Sequence, residues 1–331
     1  MAQGENSLGV LLDANQVKEG VELKPYVTGF LLAHEMDWAE ATAETYRHAL
    51  TQFETYRADR GRPALNELLV KQYVRNLYLN RRSAAYIQRQ LSVLRSFSAW
   101  AVEEGILPAD PTRKIPMPKL SAEYRREALD EEEIDRLLNQ IQITSFMDLR
   151  DYLLVSLIWR AATRLIELHR ANIEDYVKKG DGGLLYLHGK GREEADSFVV
   201  IVPELVPALD RYIEMRGIVA PKAPLFISER PKKGARLSVR GIRGIVTYYL
   251  KKAGIKRKRL TAYSLRHTAA TEALKNGADL KAVRDMMRHR SMNTTLKYDH
   301  MVRRIEKGAE TFIKTRKQAD LSQMDARKES K

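Results

Sequence analysis

The chain reads as a mainly α protein of two domains, with one small antiparallel β-sheet confined to the second. Three observations carry that expectation. Apolar residues recur at three- and four-residue steps through the N-terminal third, the period of an amphipathic helix. A proline-spaced, basic stretch then interrupts the pattern, and 331 residues are enough for a separate core on either side of it. Only the region from Gly182 to Pro203 takes on the composition of strands.

Residues 1–20 show no period and are expected to form a loose arm. From Val21 the chain turns helical, and residues 21–107 make one all-helical domain. Thr42 to Arg57 sets Tyr46, Leu50, Phe53 and Tyr56 on one face. Leu65 to Leu79 repeats the pattern with Leu68, Leu69, Tyr73, Leu77 and Tyr78. A third helix from about Ser83 to Glu104 turns Ile87, Leu91, Leu94, Phe97, Ser98 and Ala101 inward, and Gly105 is its natural stop.

Pro108, Pro111, Pro116 and Pro118, interspersed with Arg113, Lys114 and Lys119, mark residues 108–127 as an extended linker. A second domain, residues 128–302, opens on Leu129-Asp130-Glu131-Glu132-Glu133, acidic where a helix macrodipole favours it, with Asp130 as cap. A buried helix follows from Leu149 to Arg160. Leu184 to His188 and Ser197 to Val202 then form two strands, with Gly189-Lys190-Gly191-Arg192 at the turn between them. Helix resumes to about Thr315, and residues 303–331 form a charged tail. There is no internal repeat.

Composition narrows the partners. A formal net charge of +14 and a pI near 9.7 favour a polyanion over an uncommitted basic surface. No large apolar helical face opposes the basic residues, so an anionic membrane is a poorer fit. The absence of cysteine excludes disulfides, thiol catalysis and cysteine-based zinc sites. The first residues lack the order of a signal peptide, and the longest apolar run, Leu153 to Trp159, is too short to span a bilayer. A cytoplasmic, nucleoid-associated prokaryotic protein is expected.

From Arg230 to Arg259 there are twelve Lys or Arg residues and no acid. A run of one sign is read as a surface that tracks phosphates, against the plainer reading of a solvated face. Ser238 caps a helix presenting Arg240 and Arg243; Lys232, Lys233, Lys256 and Arg257 extend the strip, and Arg113, Lys114 and Lys119 add a second one in the linker.

Further on, Tyr263-Ser264-Leu265-Arg266-His267-Thr268 is followed by His289, 23 residues after Arg266, and by Tyr298, nine later. A guanidinium, an imidazole and a phenol together can break and remake a phosphodiester without metal or water. The phenolate attacks phosphorus and leaves a covalent phosphotyrosine, which retains the bond energy. Fixed Arg and His donors stabilise the charge that builds on the non-bridging oxygens. Tyr263 and Arg266 share a helical face, whereas His267 points elsewhere and is read as structural. His289 stands between Arg288 and Arg290, company that depresses an imidazole pKa unless phosphate is present.

Arg164 lies in Ala162-Thr163-Arg164-Leu165-Ile166-Glu167-Leu168; an ion pair with Glu167 accounts for it equally well when taken alone. Lys190, at a glycine-flanked tip, is by itself an ordinary turn lysine, yet a mobile lysine suits protonation of a leaving 5′ oxygen. Asp299, His300 and His289 lack any zinc-site spacing, and neither a P-loop nor GxGxxG occurs, so no metal or nucleotide cofactor is expected.

The order Arg164, Lys190, Arg266, His289, Tyr298 resembles the tyrosine recombinase (phage integrase) family, in its Xer-like and integrase branch. Ala162 to Leu168 is similar to that family's first-arginine box and Gly189-Lys190-Gly191 to its hairpin lysine. Leu265 to Thr271, with Gly277-Ala278-Asp279-Leu280, is similar to the second-arginine box. His289-Arg290-Ser291 and Thr294 to Tyr298 resemble the last two boxes, and Leu91 to Pro111 the end of a helical core-binding domain. The likeness spans about residues 21–310.

The resemblance implies a C-shaped clamp around duplex DNA, made by a helical core-binding domain and a mixed catalytic domain. It implies attack by Tyr298, a 3′-phosphotyrosine, and a free 5′-OH that attacks a partner strand. Arg164, Arg266 and His289 would hold the scissile phosphate, and Lys190 would be the general acid. Exchange would pass through a Holliday junction in a tetramer, dimeric on each site of paired half-sites, and leaves room for an accessory or partner recombinase. The tail would contact a neighbouring subunit.

Two departures stand out. The family usually has histidine three residues before its second arginine, where this chain has Tyr263, a poor proton acceptor at neutral pH. Its usual glycine before the third-box histidine is Arg288, which bears on packing and on an added phosphate contact. The rival readings are a non-catalytic DNA-binding relative, a type IB topoisomerase and a metal-dependent nuclease.

Overall fold

Capping residues and apolar spacing set the helices of the N-terminal part. Lys24–Ala33 (α1), Glu40–Ala58 (α2), Glu67–Leu79 (α3) and Ala84–Glu103 (α4) follow one another. Asn66 caps α3 by accepting from the Leu69 N–H, and Ser83 caps α4 by accepting from Tyr86. Gly105 then takes a left-handed turn, φ 70°, at the place where the sequence stops the helix. In this computed structural model residues 17–120, 127–188, 195–229, 234–257, 260–296, 298 and 299 are described. The chain divides into two compact units, Met1–Glu123 and Tyr124–Lys331.

The first unit has its own apolar core, in which Phe30 meets Phe97 and Trp100 and Phe53 meets Tyr73. Leu68 and Tyr78, expected on the inward face of α3, are exposed. Each is adjacent to a buried residue, Leu69 and Leu77, and about 100° of helical rotation separates neighbours. Arg57 is fully buried and donates to the carbonyls of Lys18, Val21, Arg62 and Pro63. Residues 17–20, assigned to a loose arm from sequence, are thereby tied to the unit, with Val17 in its core. The first half of the proline-rich segment packs here too: Ile115 is buried and its carbonyl accepts from Arg95 at 2.5 Å.

The second unit begins with Glu131–Asn139 (α5), whose Asp130 and Glu133 form a reciprocal capping box. Phe146–Arg160 (α6) is apolar nearly all round and runs through the core. Short Leu165–Arg170 (α7) leads into a three-stranded antiparallel sheet, Tyr176–Lys179 (β1), Gly182–His188 (β2) and Ala195–Ile201 (β3), in the order β1-β2-β3. The first of these strands was not expected. Its Tyr-Val-Lys-Lys is too short and too polar to stand out, and only Tyr176 is even partly buried. Leu185 and Leu187 of β2 and Val199 and Ile201 of β3 face the core, leaving Tyr186, Phe198 and Val200 outward.

Val206–Arg216 (α8), Val239–Lys252 (α9), Ala262–Lys275 (α10) and Leu280–Met287 (α11) complete the named elements. Residues 292–296, 298 and 299 are again helical. In α10 every residue from Ser264 to Thr271 is buried, and Trp159 of α6 donates to Glu272 at 2.9 Å. Helix α10 is therefore a fixed post, and the candidate residues gather beside it. None of the described helices is long and apolar enough to cross a membrane.

Candidate active site

Two left-handed residues shape the site. Ala162, φ 48°, turns the chain between α6 and α7, and Arg288, φ 49° and ψ 47°, ends α11. Neither is glycine, so each turn carries about 1–2 kcal/mol of backbone cost that surrounding contacts offset. Those contacts are arginines. Arg266, on α10 and only 4% exposed, donates to the carbonyls of Ala162 and Met287. Arg164 donates to Glu167 at 2.7 Å and to the carbonyls of Met287 and Arg288 at 3.2 and 3.0 Å. The first-arginine loop, the second-arginine helix and the turn before His289 are thus joined through shared carbonyl oxygens.

Glu167 is the carboxylate that accepts from two of these arginines, Arg164 and Arg288. It accepts from the Arg164 backbone N–H at 2.6 Å and from Arg288 at 2.7 and 3.2 Å. Burial pushes its carboxyl up, but Arg288 and Arg164 together outweigh burial and hold it below the usual range. The Arg164–Glu167 ion pair foreseen as the plain alternative does exist. Arg164 also reaches the Met287 and Arg288 carbonyls from that pair. Arg288, considered from sequence as an added phosphate contact, turns its guanidinium inward, where the side chain is 9% exposed.

Among the described residues, Arg164, Arg266 and Arg288 crowd three guanidiniums around Glu167. Burial first, then Arg164 and Arg288, push Arg266 down to about 9. It remains charged at neutral pH and in want of an anion. Burial, then Arg266, Arg164 and Arg288, pull the His289 imidazole down to about 4. His289 is accordingly neutral at pH 7, with Nδ1 hydrogen-bonded to the buried Thr295 hydroxyl at 2.9 Å. Nothing in the sequence reading singled out Thr295; its hydroxyl six residues after His289 is the available signal.

The unfolded chain takes up the His289 proton near pH 6.5 and the folded chain only near 4. Stability from this group is present above 6.5 and is lost as pH falls toward 4. Denaturation midpoints of the wild type between pH 4.5 and 7 should drop with acid more steeply than those of His289→Asn. Equal slopes would count against the depressed imidazole.

Tyr298 is 5% exposed, with His267 edge-on at 4.7 Å between ring centres and His289 nearly parallel at 6.1 Å. His267, read as structural, is buried and forms one wall for the phenol. Tyr263 lies one turn before Arg266, is 45% exposed, and lines a small crevice with Thr163, Arg164, Leu165, Ala262 and Arg266. It occupies the site edge next to both arginines. Lys190 lies outside the described residues. Among those described, no three His, Asp or Glu side chains gather as metal ligands would.

The basic residues separate into two groups. Arg240 and Arg243 are exposed on α9, which Ser238 caps as expected, and Arg113, Lys114, Lys119 and Lys256 are exposed as well. Arg257 is exposed too, and pairs with Glu127 at 3.2 Å and with Glu133. Arg236, in the same basic run, is spent on the His169 and Ala171 carbonyls and on Asn172. Lys232 and Lys233 lie outside the described residues.

Arg164, Arg266, His289 and Tyr298 are thus held together in one place, and comparison with known proteins identifies the family of the chain. Residues 127–304 match the phage integrase family, and residues 30–105 match its N-terminal SAM-like domain. Tyrosine recombinase XerC of Proteus mirabilis is 32% identical over 240 residues, 71% of this chain and 75% of that protein. XerC of Thermodesulfovibrio yellowstonii is 28% identical over 282 residues, covering 83% and 91%. Among solved structures, XerH site-specific recombinase in a post-cleavage complex with a palindromic difH substrate aligns with TM-score 0.71 at 20% identity, over 87% of this chain and 84% of that one. Lambda integrase bound to a COC′ core site aligns with TM-score 0.64 at 16% identity, over 83% and 97%. The chain belongs to the phage integrase family and is a tyrosine-type site-specific recombinase.

Proposed function

We propose that this protein cleaves and rejoins duplex DNA at paired half-sites through a 3′-phosphotyrosine on Tyr298. The observation that carries the reading is the convergence of Arg164, Arg266 and His289 on one pair of left-handed turns, with the Tyr298 ring against His289. Arg164 and Arg266 neutralise the scissile phosphate, and the neutral His289 donates from Nε2 to a non-bridging oxygen. The Tyr298 hydroxyl gives up its proton to water, and its oxygen forms the bond to phosphorus while the bond to the 5′ oxygen breaks. Lys190 supplies the proton to that leaving oxygen. The released 5′-OH of one duplex attacks the phosphotyrosine of the other, which restores the phosphodiester and frees Tyr298. Two such rounds pass through a Holliday junction, with neither metal nor ATP.

Residues 21–107 serve as the core-binding domain, 128–302 as the catalytic domain, and the tail after 302 as a contact between subunits of a dimer on each site and a tetramer in synapsis. Arg240, Arg243, Lys256, Arg113, Lys114 and Lys119 are the exposed phosphate contacts.

The test needs no known target. Wild-type protein is incubated in EDTA with fragmented genomic DNA, denatured in SDS, and the attached DNA and the modified peptide are both sequenced. A phosphotyrosyl linkage at Tyr298 to a recurring DNA sequence is expected. DNA binding with no covalent complex would select a non-catalytic relative.

Tyr263 bears on rate. Tyr263→His restores a proton acceptor beside Arg164 and Arg266, and single-turnover cleavage is expected to be retained or raised. Complete loss of cleavage in that variant would show that the phenol has its own task.

A further inference from the structure

Arg288 directs four of its five N–H donors to partners inside the protein. Nε and Nη2 meet the two oxygens of Glu167, Nη2 also reaches the Ala162 carbonyl at 2.8 Å, and Nη1 meets the Met286 carbonyl at 2.6 Å. It does so from a left-handed backbone that glycine would adopt without strain. Glu167, 5% exposed, is therefore shared by two cations, Arg164 on one side and Arg288 on the other. Arg164 is the more exposed of the two, at 32% of its side chain against 9%.

We propose that Arg288 is a positioning residue that keeps Glu167 neutralised while Arg164 exchanges Glu167 for an oxygen of the scissile phosphate. The inference rests on the strand-cleavage reading above. Arg164 gives one Nη1 hydrogen to Glu167 and its Nη2 hydrogens to the Met287 and Arg288 carbonyls, so turning the Nη1 end of its fork onto a phosphate takes it off Glu167 Oε1. If Arg164 were the only cation on Glu167, that step would strand a buried carboxylate with one backbone N–H as its partner, and the carboxylate would hold the arginine back. With Arg288 on both oxygens the carboxylate stays paired throughout. Arg164 is then held in place at rest and is still free to turn. Arg288 itself stays with Glu167 and does not touch DNA.

The proposal makes the worth of Arg288 depend on the charge of Glu167. Arg288→Gly, which also relieves the left-handed turn, is expected to slow single-turnover cleavage on the order of 100-fold at saturating DNA, with DNA affinity unchanged. In a Glu167→Gln background the buried group carries no charge to neutralise. There the same Arg288→Gly change is expected to cost little, so the double variant cleaves much faster than Arg288→Gly alone. The substrates are fragments captured by the wild type, which separates the two readings. No adduct from the wild type sinks strand cleavage itself. Wild-type adducts together with a full 100-fold loss in the Glu167→Gln background, or with no loss from Arg288→Gly, overturn the role of Arg288. If Arg288→Gly alone fails to fold, Glu167→Gln against the double variant decides the matter by the same criterion.

Discussion

Tyr298→Phe is expected to eliminate every SDS-resistant protein–DNA complex while DNA binding and thermal stability stay close to wild type. The ring sits in a small cluster with Ala162, Ala269, Ala270, Val283 and Met287, and phenylalanine fills the same space. Its contacts with His267 and His289 are those of the ring, which the substitution keeps. The hydroxyl's own hydrogen bonding is worth about 1 kcal/mol, too little to unfold a domain. Chemistry has no such margin, because the proposed covalent bond is made by that oxygen alone. Gel-shift affinity, melting temperature and adduct yield are read on the same preparation. Adducts that persist in Tyr298→Phe would sink the assignment. A phenol this well buried also has to be uncovered before it meets phosphorus, so DNA docking is expected to move the segment that carries it.

The sequence made the site legible to the extent that its residues fall in fixed local patterns. Asp130 followed by Glu133, Ser238 before a basic helix, and an apolar run through α6 are local statements, and the structure carries each of them. Arg266, His289 and Tyr298 stood out by spacing, and they meet because α10 is buried along two turns and the turn at Arg288 folds back toward it. What remained hidden was nonlocal. Glu167 and Ala162, which hold the Arg288 guanidinium, are 121 and 126 residues away, so no window of sequence shows that its charge points inward. Arg257 and Arg236 belong to the basic run, and each finds a partner in a segment distant in the chain, Glu133 for one and Asn172 for the other. A run of like charge says which residues are basic. It does not say which of them already have partners.

Arg266→Ala is expected to slow cleavage by about 10²–10³-fold, the usual consequence of removing a fixed donor to a charged transition state, roughly 3–4 kcal/mol. The structure adds a second loss that Arg164→Ala should not share to the same degree. Arg266 supplies donors to two buried carbonyls, Ala162 before the first-arginine loop and Met287 before His289. Each carbonyl keeps a second donor, Arg288 for Ala162 and Arg164 for Met287, but loses its bond from the buried Arg266 guanidinium; such charged hydrogen bonds are worth about 1.5–3 kcal/mol each, so Arg266→Ala should lower the melting temperature distinctly, whereas the more exposed Arg164 leaves less behind. Lysine is a poor replacement. A single ammonium cannot span both carbonyls and still face a phosphate, so Arg266→Lys should recover little of the rate. Single-turnover cleavage and thermal melts of the three variants separate the effects. A wild-type rate in Arg266→Ala would remove Arg266 from the chemistry. Equal melting losses in Arg164→Ala and Arg266→Ala would remove it from its place as the tie between the two left-handed turns.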